Sequence, residues 1–251
     1  MAMLVNYEKR GHIGIFTINR PEVMNALSSA AYRELREYLN YFREDRGLWV
    51  GILTGAGDKA FSTGYDLKDT YEWYKDSDQE REPEPELWKP MIAAVNGYCL
   101  GWGFELFLAC DIRIAAEHAQ FGLPEVKRGQ IPGGGGTQLL PRMVPYCHAA
   151  EIILTGKFIS AQEALQIGLI NRVVPLNRLM PLAIEMAEVI CENAPLAVQA
   201  AKESMKRGLN TSLEEGMRIE QSLTFKLYQT EDHDEGARAF VERRKPHWKA
   251  R

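Results

Sequence analysis

The residue with the strongest claim to chemistry is Glu105, the only charged side chain in Tyr98-Cys-Leu-Gly-Trp-Gly-Phe-Glu-Leu-Phe-Leu-Ala-Cys110. A carboxylate is expensive to bury in such a setting unless something stabilises it or keeps it protonated. Gly101 and Gly103 precede it where a helix is expected to begin. The first N–H groups of a helix have no internal partner, and the macrodipole adds partial positive charge there, which suits a developing oxyanion. Glu105 lies three residues beyond Trp102, roughly 4.5 Å along a helix axis, so an anion-stabilising amide and a carboxylate would face one cavity. The alternative is a glycine-rich helix start whose glutamate only neutralises a buried arginine. Residue types alone leave both readings open.

A second acid, Glu125, follows Pro124 in Phe121-Gly-Leu-Pro-Glu, so its direction is held more tightly than usual. Two glutamates, one at a helix start and one on a rigid turn, form a candidate acid/base pair. The run Gly129-Gln-Ile-Pro-Gly-Gly-Gly-Gly-Thr137 lacks the GxxxxGK[ST] pattern of a phosphate loop. It reads better as a tight turn that lets backbone pass close to a ligand or another chain. Gly55-Ala-Gly-Asp-Lys-Ala60 matches a relaxed dinucleotide fingerprint, but another glycine follows at Gly64 where a long apolar helix should open. There is no GxSxG elbow, and the five histidines form no motif. Cys99, Cys110, Cys147 and Cys191 include no CxxC pair, which argues for reduced thiols in a cytoplasmic setting and against zinc or disulfides.

These candidates need elements to hold them. Ile13 to Ile18, Trp49 to Thr54, Met91 to Val95 and Asp111 to Ala115 read as strands. Helices are expected from Ser28 to about Asp45 and from Gly103 to Ala109. Strands separated by helices imply a parallel sheet and an α/β fold. The second half reads as mainly helical, with capping boxes at Ser160–Glu163 and Thr211–Glu214 and boundaries at Pro175 and Pro195. Tyr71 to Trp88 mixes acids, prolines and four aromatic residues, and reads as a solvated loop or, more sharply, a lid over a pocket. With 251 residues, 45% hydrophobic and 25% charged, one main domain and an appended helical segment are expected. A net charge of -4 does not imply nucleic acid or a membrane surface. No secretory leader and no bilayer-length apolar run is seen.

Several segments, taken together, resemble the enoyl-CoA hydratase/isomerase (crotonase) family. They are Asn19-Arg-Pro-Glu-Val-Met-Asn-Ala-Leu27, Gly55 to Leu67, Pro90-Met-Ile-Ala-Ala-Val-Asn-Gly-Tyr98, the Gly-Trp-Gly-Phe-Glu stretch, Phe121 to Glu125 and Ile131 to Gln138. The resemblance runs from about residue 5 to the C-terminus. It implies a crotonase-like spiral of ββα units over residues 1–190, then a helical trimerisation region over 191–251, giving a homotrimer or a dimer of trimers. It further implies an acyl-CoA thioester substrate, with coenzyme A part of that substrate and no separate cofactor. By motif position, the backbone N–H groups of Tyr65 and Trp102 would form the oxyanion hole. Glu105 and Glu125 would be the catalytic pair, and Asn25, Ala26, Asp66, Leu67, Lys68 and Gly101 would bind substrate.

Both glutamates being present favours hydration of the 2,3 double bond, with Glu105 taking the water and Glu125 supplying the Cα proton. The alternatives are an isomerase, a carnitinyl-CoA-dehydratase-like enzyme, or a non-catalytic, RNA-associated member. Family members commonly carry small residues where this chain has Tyr65 and Trp102, so the pocket is expected to differ in shape. Arg238 to Arg251 carries six basic residues and one acid. It reads as a helix end near the coenzyme's phosphates, or as a solvated face.

Overall fold

A computed structural model describes residues 3–69 and 86–251 of the chain. Most of the expected lid, including Tyr71, Trp73 and Tyr74, lies outside the described residues. Strands β1 (Val5–Arg10) and β2 (Ile13–Ile18) form an antiparallel hairpin. From β2 the chain continues in parallel through β3 (Val50–Gly55), β5 (Met91–Val95), β7 (Ile112–Ala116) and β10 (Arg172–Val174), completing a six-stranded sheet. A second, four-stranded sheet holds β4 (Ala60–Ser62), β6 (Tyr98–Leu100), β8 (Gln120–Gly122) and β9 (Phe158–Ser160). The chain alternates between the sheets, β3 to β4, β5 to β6, β7 to β8, and this alternation generates the crotonase-like spiral.

The central strands are apolar on both faces, as parallel strands covered on both sides must be. In β5 all five residues are buried, with Ala93 and Val95 in one core and Ile92 and Ala94 in the other. Helix α1 (Ser29–Glu44) covers the first core with Ala31, Leu35 and Phe42. It starts where the sequence predicts, with the Ser28 hydroxyl accepting from the Ala31 N–H. Its far end is closed by buried Lys89, whose ammonium donates to the carbonyls of Phe42 (2.6 Å) and Asp45 (2.7 Å). Helix α2 (Trp102–Ala109) begins one residue earlier than expected, with Gly101 as its N-cap.

The second half holds α3 (Gly136–Met143), α4 (Tyr146–Thr155), α5 (Ala161–Gln166), α6 (Leu176–Cys191), α7 (Pro195–Gly208), α8 (Leu213–Leu227) and α9 (Glu231–Glu242). The capping box at Ser160 forms reciprocally with Glu163. The one expected at Thr211 does not: Ser212 is the cap, accepting from the Glu215 N–H, so the start shifts by one residue. Helix α6 closes the second core with Leu179, Ala183 and Ala187. Helix α7 is anchored by buried Lys202, which pairs with Asp111 at 2.7 Å and donates to the Lys89 carbonyl. Among the described residues no helix is long and apolar enough to cross a membrane.

Candidate active site

Glu105 sits in the first turn of α2 and is 3% exposed. No arginine compensates it. Its Oε1 accepts from the backbone N–H groups of Gly134 (2.7 Å) and Gly136 (2.8 Å) at the start of α3. The glycine run is therefore a cradle, built for this carboxylate rather than for a phosphate. Such charge-assisted bonds offset the burial of a carboxylate and fix its orientation. The other oxygen, Oε2, lies beside the Trp102 indole: a Cβ on Gly134 would fall 2.6 Å from Trp102 Nε1 and 2.8 Å from Glu105 Oε2.

The segment carrying Tyr65 is held from two sides. The buried Asn96 amide donates to the carbonyls of Gly55, Gly57 and Ala60, and the buried Asn25 amide donates to those of Ala56 and Ala60. The Leu27 N–H donates to the Gly64 carbonyl, and the Asp66 N–H donates to the Leu27 carbonyl. Alternation along extended backbone turns the N–H of Tyr65 to the opposite side from Leu27. Gly64, at φ +90, lets this segment approach α2: a Cβ there would lie 2.9 Å from the Trp102 nitrogen. Two consecutive-turn amides, one on a strand-like segment and one at a helix start, are thereby brought side by side.

Glu125 stands on a 3-10 turn, Pro124–Arg128, with Oε1 next to Gly101, whose Cβ would fall 3.2 Å from it. Its Oε2 is buried with no hydrogen-bond partner among the described residues. Burial pushes its pKa above the ordinary carboxylate value, and the negative charge of Glu105 pushes it further; its own backbone amide and Arg128 oppose this. One carboxyl is thus biased toward holding a proton beside a second carboxyl cradled by amides, the division of labour that acid/base chemistry needs.

A cavity of about 460 Å³ gathers most of the residues singled out from the sequence: Ala26, Tyr65, Asp66, Leu67, Lys68, Gly101, Trp102 and Glu125. Glu105 does not line it directly and lies behind the Trp102 ring. Asn25 does not line it either. Its side chain is wholly buried and committed to the Arg20 N–H and to two carbonyls, so it acts as scaffold rather than as a substrate contact. Asp66 lines the cavity while pairing with Arg20 at 3.0 Å, and Arg20 also donates to the Ala26 carbonyl.

The Trp102 ring stacks on Tyr65 (4.5 Å, 5°) and meets the edge-on ring of Tyr32 (4.4 Å, 72°). Arg128, Gln130 and Phe158 complete the wall and were not singled out beforehand. The first two follow Glu125 closely enough in sequence to have been suspected; Phe158 arrives from β9 with no sequence signal. The dinucleotide reading of Gly55 to Ala60 fails, because strand β4 follows where a helix would be needed. In the basic C-terminal stretch, Arg244 pairs with Glu235 and Glu242, while Lys249 and Arg251 pair with Glu231. Half of its cations are thus neutralised within the chain.

Comparison with known proteins gives the same reading from an independent direction. The family model described as enoyl-CoA hydratase/isomerase matches residues 8–251. An (E)-benzylidenesuccinyl-CoA hydratase of Thauera aromatica is 43% identical, aligned over 97% of this chain and 98% of its own length. A short-chain-enoyl-CoA hydratase of Clostridium acetobutylicum is 40% identical over 95% and 94%. The crystal structure of an enoyl-CoA hydratase from Mycobacterium marinum superposes with a TM-score of 0.93 at 39% identity, covering 100% of both chains. The chain belongs to the enoyl-CoA hydratase/isomerase family.

Proposed function

We infer that this chain is a hydro-lyase that adds water reversibly to the 2,3 double bond of an enoyl-CoA thioester. The observation that carries this reading is the juxtaposition of two differently treated carboxyls, amide-cradled Glu105 and buried, partnerless Glu125. In the proposed step, the thioester oxygen is held by the N–H groups of Tyr65 and Trp102. Attack at Cβ drives the π electrons toward that oxygen, Glu105 accepts the proton of the water, and Glu125 delivers a proton to Cα. Moving a double bond along the chain needs only one base, so the presence of both acids supports hydration over isomerisation. No separate cofactor enters this scheme.

The acyl group is proposed to be compact or aromatic, because the stacked Tyr65 and Trp102 rings present an aromatic wall. The name of the Thauera relative, with its benzylidene group, is consistent with such a wall. Lys68 and Arg128 are proposed to meet the anionic parts of the ligand at the cavity mouth. Residues 191–251 are proposed to mediate a homotrimer or a dimer of trimers in the cytoplasm. Supporting this, Leu209, Leu213, Met217, Phe225, Phe240 and Val241 are exposed apolar side chains. The test is loss of double-bond absorbance across short, long, cyclic, aryl and carnitinyl enoyl-CoA thioesters without added cofactor. Turnover of short or aryl substrates is expected; no turnover of any would overturn the assignment.

The pH dependence has a defined sign. Hydration needs Glu125 protonated, so kcat/KM should fall as pH rises through its raised pKa, while the reverse dehydration should fall as pH drops through the same pKa. Arg128 pulls that pKa down, so the Arg128→Gln variant should carry the alkaline limb of hydration to higher pH. Profiles of the two proteins on one substrate check this; an unmoved or lowered limb contradicts it.

A further inference from the structure

Trp102 places two different groups in the site. Its backbone nitrogen starts α2 beside Gly64, and its indole Nε1 lies beside Glu105 Oε2. The ring is 95% buried, yet no acceptor among the described residues takes its N–H. Nor is Nε1 among the fully enclosed, unpaired polar atoms, which are Tyr7 Oη, Arg113 Nε and Glu125 Oε2. It therefore keeps a small opening. Nε1 and Oε2 each lie within hydrogen-bond range of the point where a Gly134 Cβ would sit, at 2.6 Å and 2.8 Å. Glycine leaves that volume unfilled. One water oxygen shifted away from the Gly134 backbone can accept from the indole N–H while donating to the carboxylate.

We propose that the Trp102 indole N–H holds the water that Glu105 activates, making Trp102 a bifunctional residue whose amide serves the thioester oxygen and whose ring serves the nucleophile. This rests on the hydration reading above. The indole keeps its proton throughout. One lone pair of the water faces the N–H and the other attacks Cβ. The water's O–H proton passes to Glu105 Oε2, the Cα–Cβ π pair flows toward the thioester oxygen, and Glu125 returns a proton at Cα. The parallel stack on Tyr65 and the edge contact with Tyr32 fix the ring so that its N–H cannot swing away.

The Trp102→Phe variant removes the N–H but keeps the backbone amide and an aromatic ring against Tyr65. Two activities separate its roles: hydration of an enoyl-CoA, and exchange of the Cα hydrogen of a saturated acyl-CoA in deuterium oxide. The second uses the oxyanion hole and Glu125 but no nucleophilic water. The expected result is a fall in hydration kcat of about 10-fold or more with KM within about twofold, and exchange within about twofold of the parent. Hydration left unchanged would overturn the proposal. An equal fall in both activities would also overturn it, by assigning the ring to the shape of the oxyanion hole alone. A parent enzyme that hydrates no enoyl-CoA would instead remove the function on which the proposal stands. Thermal unfolding of the variant, run alongside, identifies a folding defect; in that case Trp102→Tyr, which likewise lacks a donor at the indole position, supplies the same comparison.

Discussion

Glu125→Gln and Glu105→Gln proteins are each expected to lose about 10²–10⁴-fold in hydration kcat, while their stabilities move in opposite directions. The two acids are built differently. Glu125 is a partly buried carboxyl with a buried oxygen that nothing in the described chain satisfies, held near a second negative charge. A group whose pKa is raised by folding destabilises the folded state once pH exceeds that pKa, because the ionised form is the one the site disfavours. Replacing it with a neutral amide removes that repulsion, so Glu125→Gln should unfold at the same or a higher temperature near neutral pH. Glu105 instead accepts two backbone N–H groups through Oε1. A glutamine there makes weaker, uncharged bonds if its oxygen faces the glycines, and repels them if its nitrogen does, so Glu105→Gln should lower Tm. Kinetics on a good enoyl-CoA and paired melting curves decide the matter. Near-normal turnover in both variants, or a shared direction of Tm change, would contradict this account of the pair.

The contrast explains what could be read from residues alone. The isolation of Glu105 in an apolar run marked it as costly, and cost is visible in sequence. The source of compensation is not, because Gly134 and Gly136 lie far along the chain and contribute only backbone. Trp102 was legible as a helix start, since the flanking glycines announce one. Tyr65 was not legible by physics: nothing in Phe61-Ser-Thr-Gly-Tyr announces an outward-turned amide, and only resemblance to a family placed it. The large sheet was readable because β2, β3 and β5 are five- or six-residue apolar runs. The small sheet was missed because its strands are three residues long, too short for a two-residue period to declare itself. Asn25 shows the opposite error. It falls within a motif shared with the family and was assigned to substrate, whereas its amide is spent on holding the turn that carries Ala26 and Tyr65 into place.

A single methyl group at Gly64 should be nearly as damaging as loss of an acid. Gly64 has φ +90, a region that costs a residue with a side chain roughly 1–2 kcal/mol. An alanine Cβ would also fall 2.9 Å from the Trp102 nitrogen and 3.0 Å from the Leu100 carbonyl oxygen. Both neighbours are backbone, so neither can rotate aside, and the two amides must part. If those amides hold the thioester oxygen, Gly64→Ala should cost about 10²–10³-fold in kcat, the scale on which one oxyanion donor acts. Gly101→Ala is the control. There the Cβ meets Glu125 Oε1 at 3.2 Å and the Thr63 carbonyl only at 3.7 Å, so the strain falls on the acid and not on the gap between the amides. A chromophoric enoyl-CoA bound at the site separates the two cases. Polarisation of its carbonyl by the amides shifts its absorption to longer wavelength. That shift should vanish in Gly64→Ala and persist in Gly101→Ala, even though both turn over slowly. A full shift in Gly64→Ala would mean that the thioester oxygen is held elsewhere.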